Sequence, residues 1–456
     1  MSAEKNVHVA AFAFPFGSHP TPLLHLVQRL AAAASPAVRF SYFNTAGSNR
    51  KLFPAANLLP GHDNIKAYDV EDGVPEGHVF SGNPLEPIGL FIGATPQNFK
   101  KRLEEVVEET GSKATCLLTD AFLWFAAEMA EEIGIPWVAF WTAGPTPISL
   151  HLNTDVILAK LGQNDDKQNQ DQTLDFIPGM SAVHVADLPQ EILHLDTPFS
   201  RLLYSMSLAL PRAAAVVLNS FDGIVDAAVE NDLKSKLRKI LNVGPSPHPP
   251  LNEEERGGGD CLSWLSNHPA AAVAYISFGT MLTPPPPELS ALAEVLEEKK
   301  IPYLWSFRDN SKRHLLEGFF ERTSSVGKVV EWAPQVEVLA HSSVGVFVTH
   351  CGWNSVVESI TGGMPMICRP FFGDQMINRR LVEDVWRIGV GVEGGSFSAS
   401  GLAKAFDVVM FGEKGKEIRG NIGKLRECAN IAIEENGTST QNFKSLVGLV
   451  TSYDQD

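Results

Sequence analysis

Short apolar runs rich in β-branched and aromatic residues alternate along this chain with longer stretches whose apolar positions recur at helical spacing. VHVAAFAF (7–14) precedes TPLLHLVQRLAAAA (21–34), and VRFSYFN (38–44) reads as a second strand. The helical KRLEEVVEETG (101–111) leads to a strand, ATCLLTDAF (114–122), then a helix, LWFAAEMAEEIG (123–134), then a strand, PWVAFWTAG (136–144). The grammar restarts at AAVAYISFG (271–279), followed by LSALAEVLEEKK (289–300) and IPYLWSFR (301–308). Strand–helix–strand repetition of this kind predicts parallel sheets with helices on both faces.

Between the halves lies GPSPHPPLNEEERGGGD (244–260), too rich in Pro, Gly and charge to build a core, and it reads as a linker. The predicted fold is α/β, with two facing Rossmann-like, doubly wound domains and a cleft between them. Residues 1–243 make the first domain, 244–260 the linker and 261–435 the second domain, and 436–456 form a C-terminal segment. A chain of 456 residues exceeds what one hydrophobic core usually supports, which fits two domains. The prolines at 284–287 open the helix that follows them. Neither half carries a dinucleotide-binding glycine fingerprint after its first strand, and no GxxxxGK[ST] loop occurs.

Composition narrows the partners. Net charge is −16, from 53 acidic residues against 37 Lys and Arg, which argues against nucleic acid or an anionic membrane as partner. Five cysteines (Cys116, Cys261, Cys351, Cys368, Cys428) are scattered without CxxC spacing, so reduced thiols in a cytoplasmic protein are expected, with no zinc site. No window approaches the ~20 apolar residues of a membrane span. The N-terminal apolar run is stopped by Pro15 and reads as a first strand, not a cleaved signal. The sequon at Asn436 is not expected to be used.

The stretch from Trp332 to Gln375 holds the densest chemistry. Its centre reads as a buried strand (344–350), a tight turn (351–353) and a helix (354–360). Free N–H groups and the positive dipole end converge at such a helix start, which suits an anion. His350 stands at the strand's carboxyl end, where open parallel sheets bind ligands. Gly352 admits close backbone approach, Asn354 and Ser355 offer polar contacts, and Glu358 could accept sugar hydroxyls, so the constellation suits a nucleoside diphosphate. Two further residues stand at strand ends in the first half. His19 is either an inconsequential loop histidine or a base, and Asp120 either a cap for the next helix or the imidazole's partner.

These residues closely resemble the signature box of plant uridine-diphosphate-dependent glycosyltransferases, which opens with Trp and closes with Gln. The match includes APQ after Trp332, HCGWNS at 350–355, Glu358, GGMP at 362–365 and DQ at 374–375. AFPFGSHPTPLL (13–24), DGVPEG (72–77), LLTDAF (117–122), FWTAGP (140–145) and ISFGT (276–280) resemble the subgroup that glucosylates flavonoids and anthocyanidins at the 3-hydroxyl. The resemblance implies the two-Rossmann GT-B fold, with the last helix crossing back to the first domain, and an inverting enzyme needing no cofactor or metal. UDP-glucose is then a co-substrate, and a flavonoid the acceptor of a monomeric enzyme.

By the same resemblance His19 is the catalytic base and Asp120 its partner. Trp332 stacks on uracil, with Ala333 and Gln335 beside it, and His350 donates to the diphosphate. Trp353, Asp374 and Gln375 meet the sugar, with Gln375 accompanying glucose. Ser277 and Thr280 reach phosphate, and Thr142 the sugar. Phe16, Phe122, His151, Phe199 and Phe372 line a flat apolar acceptor pocket. Leu85 occupies a place where some relatives carry a polar residue.

Overall fold

The computed structural model describes residues 7–53, 59–83, 85–162, 170–246, 259–307, 315 and 318–452. Most of the linker expected at 244–260 therefore lies outside the described residues. The first half builds a seven-stranded sheet from β1 (His8–Phe12), β2 (Arg39–Thr45), β3 (Ile65–Val70), β4 (Cys116–Asp120), β5 (Trp137–Trp141), β6 (Ala215–Leu218) and β7 (Ile240–Asn242). Its order is β3-β2-β1-β4-β5-β6-β7, and every pairing is parallel.

The second half builds a six-stranded sheet from β8 (Val273–Ser277), β9 (Tyr303–Ser306), β10 (Gly327–Val330), β11 (Val344–Thr349), β12 (Met366–Cys368) and β13 (Gly389–Gly391). Its order, β10-β9-β8-β11-β12-β13, repeats that of the first sheet, again all parallel. Two doubly wound α/β domains thus face each other across a cleft. In both sheets the order reverses beside the first strand, between β1 and β4 and between β8 and β11. The crevices at those switch points are where such sheets take ligands.

Burial explains the unbroken apolar runs. All five residues of β1 are buried, with Ala10 and Phe12 facing one core layer and Val9 and Ala11 the other. A parallel sheet covered by helices on both faces needs this pattern. The helix Thr438–Thr451 contributes Leu446 and Val450 to the first domain's core, and Asn442 Nδ2 donates to the Asn242 carbonyl at 3.0 Å.

Several elements differ in extent from the expectation. The helix expected at 101–111 is the last part of Glu86–Thr110, which runs through Pro96. The helix after β4 starts at Ala126, later than 123, with Phe125 as its N-cap. Asp120 Oδ1 accepts the Phe122 N–H at 2.9 Å and closes a turn instead, so Asp120 does not cap that helix. The helix expected from 354 spans Trp353–Gly362, so Trp353 is its first residue, not part of the turn. Prolines 286 and 287 open the helix Pro286–Glu298.

Candidate active site

β1 and β4 are neighbours, with Phe12 opposite Thr119, so the loop after β1 and the end of β4 meet at the first switch point. There His19 Nδ1 lies 2.8 Å from Asp120 Oδ2. A carboxylate can only accept, so Nδ1 carries a proton, and in the neutral ring the lone pair is on Nε2. Asp120 is 1% exposed and His19 18%. The Thr142 hydroxyl stands 3.2 Å from the same His19 nitrogen, on the first domain's side of the cleft.

Across the cleft, β11 ends in a turn where Cys351 takes a positive φ of 64° and Gly352 caps the helix Trp353–Gly362. Cys351, with a Cβ, is held there by its N–H donating to Thr349 Oγ1 at 3.2 Å. No side chain caps the helix and its first turn holds no acidic residue, so its leading N–H groups remain available to an anion. The His350 imidazole is wedged between two glycines. A Cβ at Gly352 would stand 2.5 Å from its Nε2, and one at Gly279 2.9 Å from its ring. Burial pushes the His350 pKa down to about 4, so the ring is neutral at pH 7, and its Nδ1 is a buried polar atom without a partner.

The two strand-end sites open into one cavity of about 350 Å³. It brings together His19, Thr142, Thr280, His350, Gly352, Trp353, Asn354, Ser355, Asp374 and Gln375, with Phe16, Phe122, His151, Phe199 and Phe372. The apolar wall is a ring cluster. Phe122 lies 4.6 Å from the His19 ring and 6.0 Å from Phe199, and Phe14 lies 5.2 Å from Phe16, His19 and Phe122. His151 is pushed down to about 4 by burial and is a neutral ring in this wall.

Asp374 and Gln375 are set by their neighbours. Asn378 Nδ2 donates to Asp374 Oδ2 at 2.8 Å, and burial nonetheless pushes the Asp374 carboxyl up to about 6. Gln375 Oε1 accepts the N–H groups of Phe371 (2.9 Å) and Phe372 (3.3 Å). Its NH2 is thereby the end left for a ligand, beside the Asp374 acceptor.

Trp332, Ala333, Gln335, Glu358 and Ser277 do not line the cavity. Gln335 Nε2 donates to Ser355 Oγ (3.0 Å) and Glu358 Oε2 (2.6 Å), which extends a polar track from the cavity past Ser355. Trp332 is 51% exposed, while Ala333 and Ser277 are buried. One expectation needs correction. Leu85 is 42% exposed and lies outside the cavity, one turn short of Ile88, which lines it. The Trp353 indole N–H is committed to the Asn219 carbonyl at 2.8 Å, so only its ring or backbone can face a sugar.

Sequence reasoning missed Phe14, Ile88, Trp141, Pro147 and Met281, all of which line the cavity. Phe14 and Trp141 stood within strand-like runs and were indistinguishable from core. Asn219 and Asp187, which bridge the domains, gave no local signal.

Two strand-end crevices thus face one another across one cavity, one holding the His19–Asp120 pair and the other the uncapped start of the helix Trp353–Gly362. The chain belongs to the UDP-glucoronosyl and UDP-glucosyl transferase family, whose profile matches residues 91–428. It is 54% identical over 451 residues to a flavonol 3-O-glucosyltransferase, F3GT2, of Actinidia chinensis var. chinensis, covering 98% of this chain and 97% of that one. It is 49% identical over 453 residues to an anthocyanidin 3-O-galactosyltransferase, F3GT1, of the same plant, covering 98% and 97%. Among solved structures, a UDP-glucose:anthocyanidin 3-O-glucosyltransferase in complex with UDP superposes with a TM-score of 0.90 at 42% identity, covering 98% of this chain and 99% of that one. The protein is a UDP-glycosyltransferase of GT-B architecture.

Proposed function

We propose that the protein transfers glucose from UDP-glucose to the 3-hydroxyl of a flavonol or anthocyanidin, with inversion at the anomeric carbon. The observation that carries this reading is the His19–Asp120 pair at 2.8 Å, opening onto the same cavity as His350, Asp374 and Gln375. A planar phenolic acceptor fits the wall of Phe16, Phe122 and Phe199, with its hydroxyl at His19 Nε2. Deprotonation there generates the nucleophile, and Asp120 fixes the tautomer and stabilises the imidazolium that forms. The diphosphate leaves on the other side, toward the helix Trp353–Gly362. Attack and departure from opposite faces give inversion.

Charge developing on the leaving diphosphate meets the neutral His350 ring, Asn354, Ser355 and the first N–H groups of that helix. These groups supply what a metal would otherwise supply, and the reaction is proposed to need none and to run in the cytoplasm on a monomer. Uracil stacks on Trp332, with Gln335 and Glu358 toward the ribose. The Gln375 NH2 and the Asp374 carboxylate form a donor–acceptor pair for sugar hydroxyls. Galactose is the second reading, because one relative of nearly the same similarity is named a galactosyltransferase.

The test is to incubate the protein with UDP-glucose or UDP-galactose and quercetin, with and without EDTA, and to identify products by NMR. A 3-O-β-glucoside formed at least ~10-fold more efficiently than the galactoside, and insensitive to EDTA, is expected, because one unpaired buried hydroxyl costs about 1–3 kcal/mol. Equal use of both donors, or retention of configuration, rejects the reading.

A further inference from the structure

Asn219 follows β6 on the first domain, yet its bonds reach two distant stretches of chain. Its Oδ1 accepts the backbone N–H of Ser246 at 2.9 Å. Its Nδ2 donates to Asn354 Oδ1 at 3.1 Å, and its carbonyl accepts the Trp353 indole N–H. A Cβ at Gly244 would stand 2.4 Å from Asn219 Oδ1, so the chain leaving β7 is pressed against this amide.

An amide side chain has an accepting end and a donating end, and its neighbours decide which way round it sits. The Ser246 backbone N–H can only donate, so it takes the oxygen of Asn219. The Asn219 NH2 is thereby turned to Asn354, and since it too can only donate, it takes the oxygen of Asn354. The Asn354 NH2 is then the end left facing the cavity, at the N-terminus of the helix Trp353–Gly362. Reversed, Asn354 would present a carbonyl oxygen to a diphosphate.

We propose that Asn219 is a positioning residue for donor binding: a relay from the Ser246 N–H through Asn219 fixes the Asn354 amide so that it donates to the diphosphate. The relay crosses from the first domain to the second, so it also makes phosphate affinity depend on the two domains being docked. It rests on the donor-site reading above, in which Asn354 meets the diphosphate.

A double-mutant cycle on the full-length protein tests it, with UDP and uridine affinities measured by calorimetry or competitive inhibition. Asn354→Ala should weaken UDP about tenfold, the lower end for one hydrogen bond to a charged group, and Asn219→Ala about fivefold, the scale of one neutral hydrogen bond. In the Asn354→Ala background, Asn219→Ala should change UDP affinity by less than about twofold, because its effect passes through Asn354. Uridine, which lacks phosphate, should bind every variant within about twofold of wild type, a readout that general loosening of the fold would shift. Asn219→Asp keeps the acceptor for Ser246 but has no N–H for Asn354, and should weaken UDP at least about tenfold. Equal loss from Asn219→Ala in both backgrounds overturns the relay alone, as does equal loss of UDP and uridine. Wild-type UDP affinity in Asn354→Ala overturns the donor-site reading and the relay with it.

Discussion

His19 can act as a base only through Nε2, because Asp120 holds Nδ1 at 2.8 Å. His19→Ala should therefore lower turnover at least ~100-fold, the usual worth of a general base, while UDP affinity changes little. Asp120→Asn should cost less than the histidine, since the ring remains but its tautomer and charge lose their partner. Steady-state kinetics with a flavonol and direct UDP titration separate the two effects, and near-normal turnover of His19→Ala would remove it as the base. Asp374 sets a pH dependence of its own. Burial raises its carboxyl to about 6. Above that pH it is an anion with two oxygens able to accept hydroxyls, and below it one oxygen carries a proton and the charge that strengthens acceptance is gone. The affinity for UDP-glucose, whose diphosphate is esterified at both ends and does not titrate in this range, should thus fall as pH drops through about 6 and be flat in Asp374→Asn. A pH-independent UDP-glucose affinity in the wild type would show that Asp374 does not meet the sugar.

At the scale of elements, the donor end depends on how tightly the turn from β11 into the helix Trp353–Gly362 closes around His350. Gly352 has ordinary extended angles (φ −61°, ψ 141°), so alanine is tolerated by the backbone there and only its Cβ, 2.5 Å from His350 Nε2, intrudes. Gly352→Ala should raise the UDP-glucose KM several-fold by displacing the ring, with the unfolding midpoint shifted little. A KM within twofold of wild type would show that the ring has room to move. Much of this region was legible beforehand, because β1, β4, β5, β8 and β11 are central, buried strands with unbroken apolar runs. β3, β6, β7, β10, β12 and β13 were not singled out. Most of them have only three or four residues, and sequences such as GKVV and GVG carry too little apolar signal to register. His19, Asp120 and His350, which stood out by position, end or follow the central strands β1, β4 and β11. Leu85 was misplaced because a helical turn decides whether position 85 or 88 faces inward, and the residues around it carry no clear period.

Across the whole molecule, the domains are fastened near the sugar end of the cleft. Asp187, 1% exposed on the first domain, accepts from Arg380 Nε at 2.7 Å and Arg379 Nη2 at 3.3 Å on the helix Gln375–Arg380. The Trp386 indole N–H donates to the Ile224 carbonyl at 2.8 Å close by. Asp187→Ala leaves two guanidinium groups facing a buried gap, though each keeps an acidic partner four residues further on, Glu383 for Arg379 and Asp384 for Arg380. It should destabilise by about 1–3 kcal/mol and lower the midpoint of thermal unfolding by a few degrees. Because that helix begins at Gln375, the KM for UDP-glucose should rise as well, and a variant unchanged in both would show the domains to be held elsewhere.

The chain returns to the first domain at Gly437, where the helix Thr438–Thr451 begins its course along the first sheet. Leu446 and Val450 of that helix fill the first domain's core, so this core is complete only once the chain has run through the whole second domain, and removing the last helix would uncover the first domain.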